Sequence, residues 1–320
     1  MFERCEFLKT AVINDQGLNT TLYAKMFKNC ISLTDVTIND ADIITFGESM
    51  FEGCSSLKNV SWLPSTKPKE YGKRMFAASG LEEIRLQDNA ISISEEMFKD
   101  CRALKHIYIP DNITEYKANC FNNCGDFKGS ILEDGDTDKR LIVSSKIRKI
   151  GNNAFEMCGQ LEKVVFPEVT MDSLGDYVFK DCIHLREAKM PVKVTTGGKN
   201  IFQGCISLQY LNPAPAYNYQ DSFFANLPSL EEVVIPSGVT KLDLNIFDNC
   251  SSLKKVTLPA TINSWGSLNT SSSGSGTNYY SNIDTVRNNV YYNGKKTNKN
   301  LYIFLNCPNI TDVVLASGWN

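Results

Sequence analysis

Eleven cysteines and two histidines are the residues of this 320-residue chain whose types could serve metal, redox or nucleophilic chemistry. Ten of the cysteines stand three residues after a phenylalanine, as in Phe51-Glu52-Gly53-Cys54. No C-x-x-C pair occurs, and cysteines a whole repeat apart lack the ligand spacing of a zinc site. A small buried residue in a stacked column accounts for these ten, and Cys120 takes an apolar slot before Phe121. Side chains stacked in one column point in parallel, a poor geometry for a disulfide, so reduced thiols are expected. Neither His106 nor His184 has a serine or cysteine motif beside it that would set up a nucleophile. Asp134, Asp136 and Asp138 have the alternate spacing of a calcium loop without its glycine and closing glutamate, and read as a solvated turn. Glu82-Glu83, Glu95-Glu96 and Glu231-Glu232 read as strand surface or as favourable charge at a helix start. Gly197-Gly198 belongs to no dinucleotide or phosphate-binding fingerprint. The expectation is therefore no metal, no cofactor and no catalytic residue.

The elements that must carry these residues repeat. A common frame returns around Phe2, Phe27, Phe51, Phe76, Phe98, Phe121, Phe155, Phe179, Phe202, Phe224, Phe247 and Phe304. Nine of the eleven intervals fall in the low twenties, and the two longer ones follow Phe121 and Phe247. Counting from the phenylalanine, Cys usually stands at +3, Leu at +6, Val or Ile at +9 and an apolar residue at +11, as in Phe247, Cys250, Leu253, Val256 and Leu258. The spacing of three predicts a helical turn, and the spacing of two predicts a half-buried strand. Positions at −4, such as Gly47, Gly72, Ser94, Gly151, Gly175 and Gly198, suit a helix N-cap. Positions at +2, such as Asn29, Gly53, Asp100, Asn123, Asp181 and Asn249, suit the left-handed conformation that ends one. The fold expected is an α/β solenoid, a leucine-rich-repeat type of curved rod in its period of roughly 22 to 25 positions per coil. Each coil is expected to hold one short parallel strand and one capped helical turn. About twelve coils make a single curved rod over residues 1–320, on the order of 60 Å long. Two insertions interrupt it: a hairpin at 128–146, and a flexible tract (Asn269 to Asn278) plus hairpin at 260–300, where a degenerate coil could be hidden.

The phrases Ile150-Gly151-Asn152-Asn153-Ala154-Phe155-Glu156-Met157-Cys158 and Leu253-Lys254-Lys255-Val256-Thr257-Leu258-Pro259 resemble the BspA-type leucine-rich repeats over nearly the whole chain. Ser79-Gly80 and Leu227 depart from the cysteine region of that pattern, and Phe127 replaces a leucine. The resemblance implies a cell-surface or secreted protein, with adhesion to proteins or other cells among the family's roles. The opening Met1-Phe2-Glu3-Arg4-Cys5 begins in mid-repeat, so a piece of a longer protein is expected.

A net charge of −3 gives no reason to expect nucleic-acid binding, and no run of about 20 apolar residues is present to span a bilayer. The leading expectation is a monomeric binding module for a protein or glycan ligand. A structural spacer and an enzyme with a site assembled across coils are the alternatives. With +9 and +11 facing inward, +8 and +10 face outward on the concave sheet: His106, Tyr108, Lys163, Val165, Glu187, Lys189, Tyr210, Glu232, Val234 and Lys255. Aromatic and apolar anchors among mixed charges make up a recognition patch. The candidate ligand-binding residues are therefore His106, Tyr108, Lys163, Val165, Lys189, Tyr210 and Val234.

Overall fold

The repeated +9 and +11 positions form parallel strands that stack coil on coil. The computed structural model describes residues 2–14, 20–39, 43–62, 68, 70–130, 139–214, 223–242, 246–262, 264–265, 304 and 306–315. Three short parallel sheets make one face, here called the front. The first joins Thr10–Asn14, Asp35–Asn39 and Asn59–Trp62, and the second Glu83–Arg85, His106–Tyr108 and Gly129–Ser130. The third has seven strands: Arg140–Ile142, Lys163–Val165, Glu187–Lys189, Tyr210–Asn212, Glu232–Val234, Lys255–Leu258 and Asp312–Leu315. Register is kept rung by rung, so Val164 lies between Leu141 and Ala188 in the inward column.

Several coils also carry a second strand that sequence periodicity did not reveal. Ser92–Ile93, Glu115–Tyr116, Lys149–Ile150, Thr170–Leu174 and Lys193–Gly197 form a five-stranded parallel sheet on the return path. Its buried residues Ile93, Tyr116, Ile150 and Leu174 stand five before the phenylalanine, an apolar position that could have signalled it.

The capped helical turn, and with it the α/β class, is corrected: the described residues hold no α-helix, their named elements are strands, and the solenoid is a β-solenoid. The reason lies in the backbone around each phenylalanine. Positions at +2 are left-handed as expected, with φ of 59° at Asn29 and 60° at Asn123. Positions at −2 are left-handed too, including Lys25 (φ 59°), Arg74 (57°) and Tyr177 (57°). Only three residues lie between these reversals, too few for the N–H to O=C bond four residues back that defines an α-helix. The amides bond across coils instead. Lys25, Phe27 and Asn29 donate to the carbonyls of Glu48, Met50 and Glu52 at 2.8, 2.9 and 2.7 Å. No helix among the described residues is long and apolar enough to cross a membrane.

Glycine at −4 is likewise not a cap. A Cβ on Gly72 would lie 2.1 Å from the Gly47 carbonyl oxygen, and one on Gly198 would lie 2.0 Å from that of Gly175. Both glycines are there because the preceding coil's backbone occupies the side-chain space.

The core is a column of stacked rings. Phe27 and Phe51 lie 5.5 Å apart and 1° from parallel, and Phe155 and Phe179 lie 5.4 Å apart. The column shifts once, where Phe202 meets Phe223 edge-on at 6.1 Å, and resumes with Phe224 on Phe247. Phe304 stacks directly on Phe247 at 5.6 Å, and Asp312–Leu315 pairs with Lys255–Leu258. No further coil therefore separates them, despite the long segment of chain between. The tract Asn269 to Asn278 and the 290–295 hairpin expected there lie outside the described residues. So do Asp134, Asp136 and Asp138 of the first insertion. Arg140–Ile142, expected as a hairpin arm, is a rung of the front sheet that has no phenylalanine of its own. Phe121 and Phe155 still stack at 5.1 Å behind it, and Phe127, larger than the usual leucine, packs against both. The peptide of Arg140 comes so close to Gly129 (φ 138°) that a Cβ there would lie 1.9 Å from the Arg140 carbonyl oxygen.

The cysteines are more than small apolar filler. Nine of the ten at +3 donate their thiol hydrogen to the phenylalanine carbonyl of the preceding coil, for example Cys54 to Phe27 at 3.0 Å and Cys101 to Phe76 at 2.9 Å. All eleven thiols are free. Burial pushes the Cys101 thiol up to about 11 and the Cys182 thiol up to about 12.

This packing sets two expectations for measurement. Phe155→Ala should cost about 3–5 kcal/mol, by opening a cavity in the ring column. Gly72→Ala should cost about 1–3 kcal/mol through overpacking. Gly125→Ala, where a Cβ would meet nothing within 4 Å, is the control, within about 0.5 kcal/mol of the parent. Urea unfolding midpoints decide; equal midpoints for Gly72→Ala and Gly125→Ala would contradict the close coil approach. The thiols set an alkaline limit. Their folded pKa values lie above the ordinary 9.0, so an unfolded chain loses protons first as pH rises. Stability from this source is complete below about pH 8.5 and declines above it, before ordinary tyrosine or lysine titrates. Melting temperatures measured in reductant from neutral pH upward should begin to fall there, and thiol reagents should react slowly until the chain is denatured.

Candidate functional site

Alternation along each front strand turns +8 and +10 outward, and coil stacking aligns them into two columns. One column passes through Glu83, His106, Gly129, then Lys163, Glu187, Tyr210, Glu232 and Lys255. The structure treats the seven candidate residues differently.

His106 is not a surface residue. Its ring is 7% exposed, with Nδ1 3.5 Å from Glu83 Oε1. Its other register partner is Gly129, which places no side chain beside it. Tyr108 is half-buried, and the Arg85 guanidinium carbon lies over its ring, 3.5 Å from the centroid. That cation covers one face of the aromatic ring. Lys163 is tied to Glu187 at 2.8 Å and Lys189 to Glu168 at 3.4 Å, while Val165 is half-buried between strands.

Tyr210 and Val234 are different: they are 59% and 50% exposed. Tyr210 pairs in register with Glu187 on one side and Glu232 on the other. Glu232 in turn holds Lys255 at 2.7 Å. Asn212, two residues along the same strand and opposite Lys189, is also exposed. It occupies an outward +10 position, so the same alternation could have placed it in the site. The structure thus gathers Tyr210, Lys189 and Val234 of the candidates on three successive strands, with Glu187, Asn212 and Glu232 between them.

Beside these strands runs a third line of charges. Glu82 sits between Lys105 and Lys58 at 2.8 and 2.7 Å, and their hydrogen bonds hold its carboxyl down at about 2. Lys139 pairs with Glu162 at 2.5 Å, and Lys254 with Glu231 at 3.0 Å. On the turn face, burial works against charge at Glu52. Hydrogen bonds from Arg74, Ser49 and Lys28 outweigh it and keep that carboxyl at about 2. Arg74 also reaches Glu96, and Lys73 reaches Glu95 at 2.8 Å. Apart from Glu83, which faces His106, the adjacent carboxylates are engaged by lysines and arginines of neighbouring coils, and the helix-start reading of Glu95-Glu96 falls with the helix. Exposed pairs of this kind contribute little to stability, but they discriminate against slipped stacking. His184, beside the turn, sets Nδ1 against the Gly159 carbonyl. Among the described residues no three His, Cys, Asp or Glu side chains gather as a metal group.

Comparison with known proteins agrees with the repeat. The chain is similar to a leucine-rich repeat protein from Bacteroides ovatus ATCC 8483, with 19% identity over 83% of this chain and 76% of that one, at a TM-score of 0.49. It is similar to a leucine rich cell surface protein from Faecalibacterium prausnitzii A2-165, with 17% identity, 97% and 88% coverage and a TM-score of 0.39. The pneumococcal vaccine antigen PcpA gives 19% identity, 78% and 74% coverage and a TM-score of 0.45. No curated protein matches the chain. The family model for the BspA type leucine rich repeat region matches residues 1–135, 138–216 and 217–320 in six copies, and the chain belongs to that family.

Proposed function

We propose that this protein is a binding or adhesion module, taking a protein or glycan ligand on the outward columns of its seven-stranded front sheet. The observation that carries the reading is the contrast within one face. Most outward charges are neutralised rung to rung, whereas Tyr210 and Val234 stand exposed on rigidly registered strands. Strands held by a stacked core present such side chains with little ordering cost on binding. The patch lies on the seven-stranded part of the sheet, away from the buried His106 and the covered Tyr108. Action as a monomer belongs to the proposal, as does a location at the cell surface or outside the cell, which rests on family membership.

The test begins with a screen of host matrix proteins and glycans. Against a partner so found, the Tyr210→Ala/Val234→Ala variant should bind about tenfold or more weakly. Its melting temperature should stay close to that of the parent, because both side chains lie outside the core. Full affinity in the double variant would remove the front face from consideration.

A further inference from the structure

We infer that Tyr210, with Glu187, Asn212 and Glu232, receives a neutral sugar residue of a glycan, its C–H face stacked on the tyrosine ring. This rests on the front sheet being the binding face and specifies what that face takes. An aromatic ring has a negative face, which attracts the polarised C–H groups of a pyranose, and tyrosine loses little freedom when it is used this way. Tyr210 is 59% exposed, whereas Tyr108 has a guanidinium over its ring. Both tyrosines stand in outward slots of the sequence, and only Tyr210 is largely exposed.

The flanking groups match the rim of a sugar. Glu187 and Glu232 stand one strand spacing, about 4.8 Å, to either side of Tyr210. Each commits one oxygen to a lysine, Glu187 Oε2 to Lys163 and Glu232 Oε1 to Lys255. The second oxygen of each carboxylate is left to accept from hydroxyl groups. The exposed Asn212 amide adds both a donor and an acceptor. Hydroxyls can bind these groups with both ion pairs intact. An anionic ligand would be repelled by the two carboxylates, whereas a neutral one meets no such repulsion. Nor is the patch built for a protein's apolar core. Around Tyr210 the exposed apolar side chain on the adjacent strand is Val234, whereas a standard protein interface buries about 800 Å² per partner around a depleted-charge centre.

Affinity electrophoresis of the intact chain in gels containing xylan, mixed-linkage β-glucan, galactomannan or dextran tests the assignment. At least one of these neutral polysaccharides should retard the protein, and about 0.5 M NaCl should leave the retardation in place. Tyr210→Ala should weaken it by about tenfold or more, and Tyr210→Trp should restore it. Asn212→Ala should weaken it too, with unchanged melting temperatures showing that each variant is folded. Retardation by none of the four, equal retardation of Tyr210→Ala, or binding confined to anionic polysaccharides and abolished by salt would each overturn the sugar assignment. The broader reading fails separately. If a protein partner loses affinity in Tyr210→Ala/Val234→Ala while no polysaccharide binds, the front face stands and the sugar does not.

Discussion

Every part of each coil, strand or not, must sit at about one β-strand spacing from the next coil. In the front and return sheets that spacing is natural, because parallel strands hydrogen-bond at it. Around the phenylalanines it is not, and the chain adapts through left-handed residues on both sides of each ring. These reversals aim alternate amides along the solenoid, where they meet the carbonyls of the following coil. The same spacing brings the phenylalanine rings face to face, 5.5 Å apart in the pairs Phe27–Phe51 and Phe51–Phe76. It also leaves no room for a Cβ on Gly72 or Gly198. Ring column, glycine column and left-handed columns are three consequences of one distance.

That distance also explains the cysteines. In eleven of the twelve coils the phenylalanine carbonyl accepts a bond from the amide three residues on, and has a lone pair left for the neighbouring coil. A side chain at +3 must be small enough for the core yet able to donate one hydrogen. Cysteine meets both conditions, and valine or alanine only the first. Burial raises the thiol pKa values and so keeps the donated proton in place, which also protects the thiols from reaction.

Function is left to what the stacking does not use. Inward side chains, turn backbones and most charges are engaged with the coils above and below. On the front sheet the ion pairs Lys163–Glu187 and Glu232–Lys255 bracket Tyr210. A binding module made this way can vary its outward columns without disturbing the core.

What the sequence determined by itself was everything that depends on alternation within one repeat. The period, the inward Phe, Cys, Leu and Val columns, the left-handed turn at +2 and the outward columns at +8 and +10 are local properties, set by residue type and spacing. What lies beside a residue in the next coil is not local. The left-handed positions at −2, among them Lys25, Arg74 and Tyr177, have no glycine or asparagine signature in common, because cross-coil hydrogen bonds impose their conformation. The return sheet depends on short strands meeting their counterparts a full coil away, in pairs such as Ser92 with Glu115. The site divides along the same line. Sequence placed His106, Tyr108 and Tyr210 in outward slots. Only the stacked structure put Gly129 beside the first, Arg85 over the second and two lysine-bound carboxylates around the third, because a neighbour on the next rung is chosen by the stacking of coils and not by the chain between them.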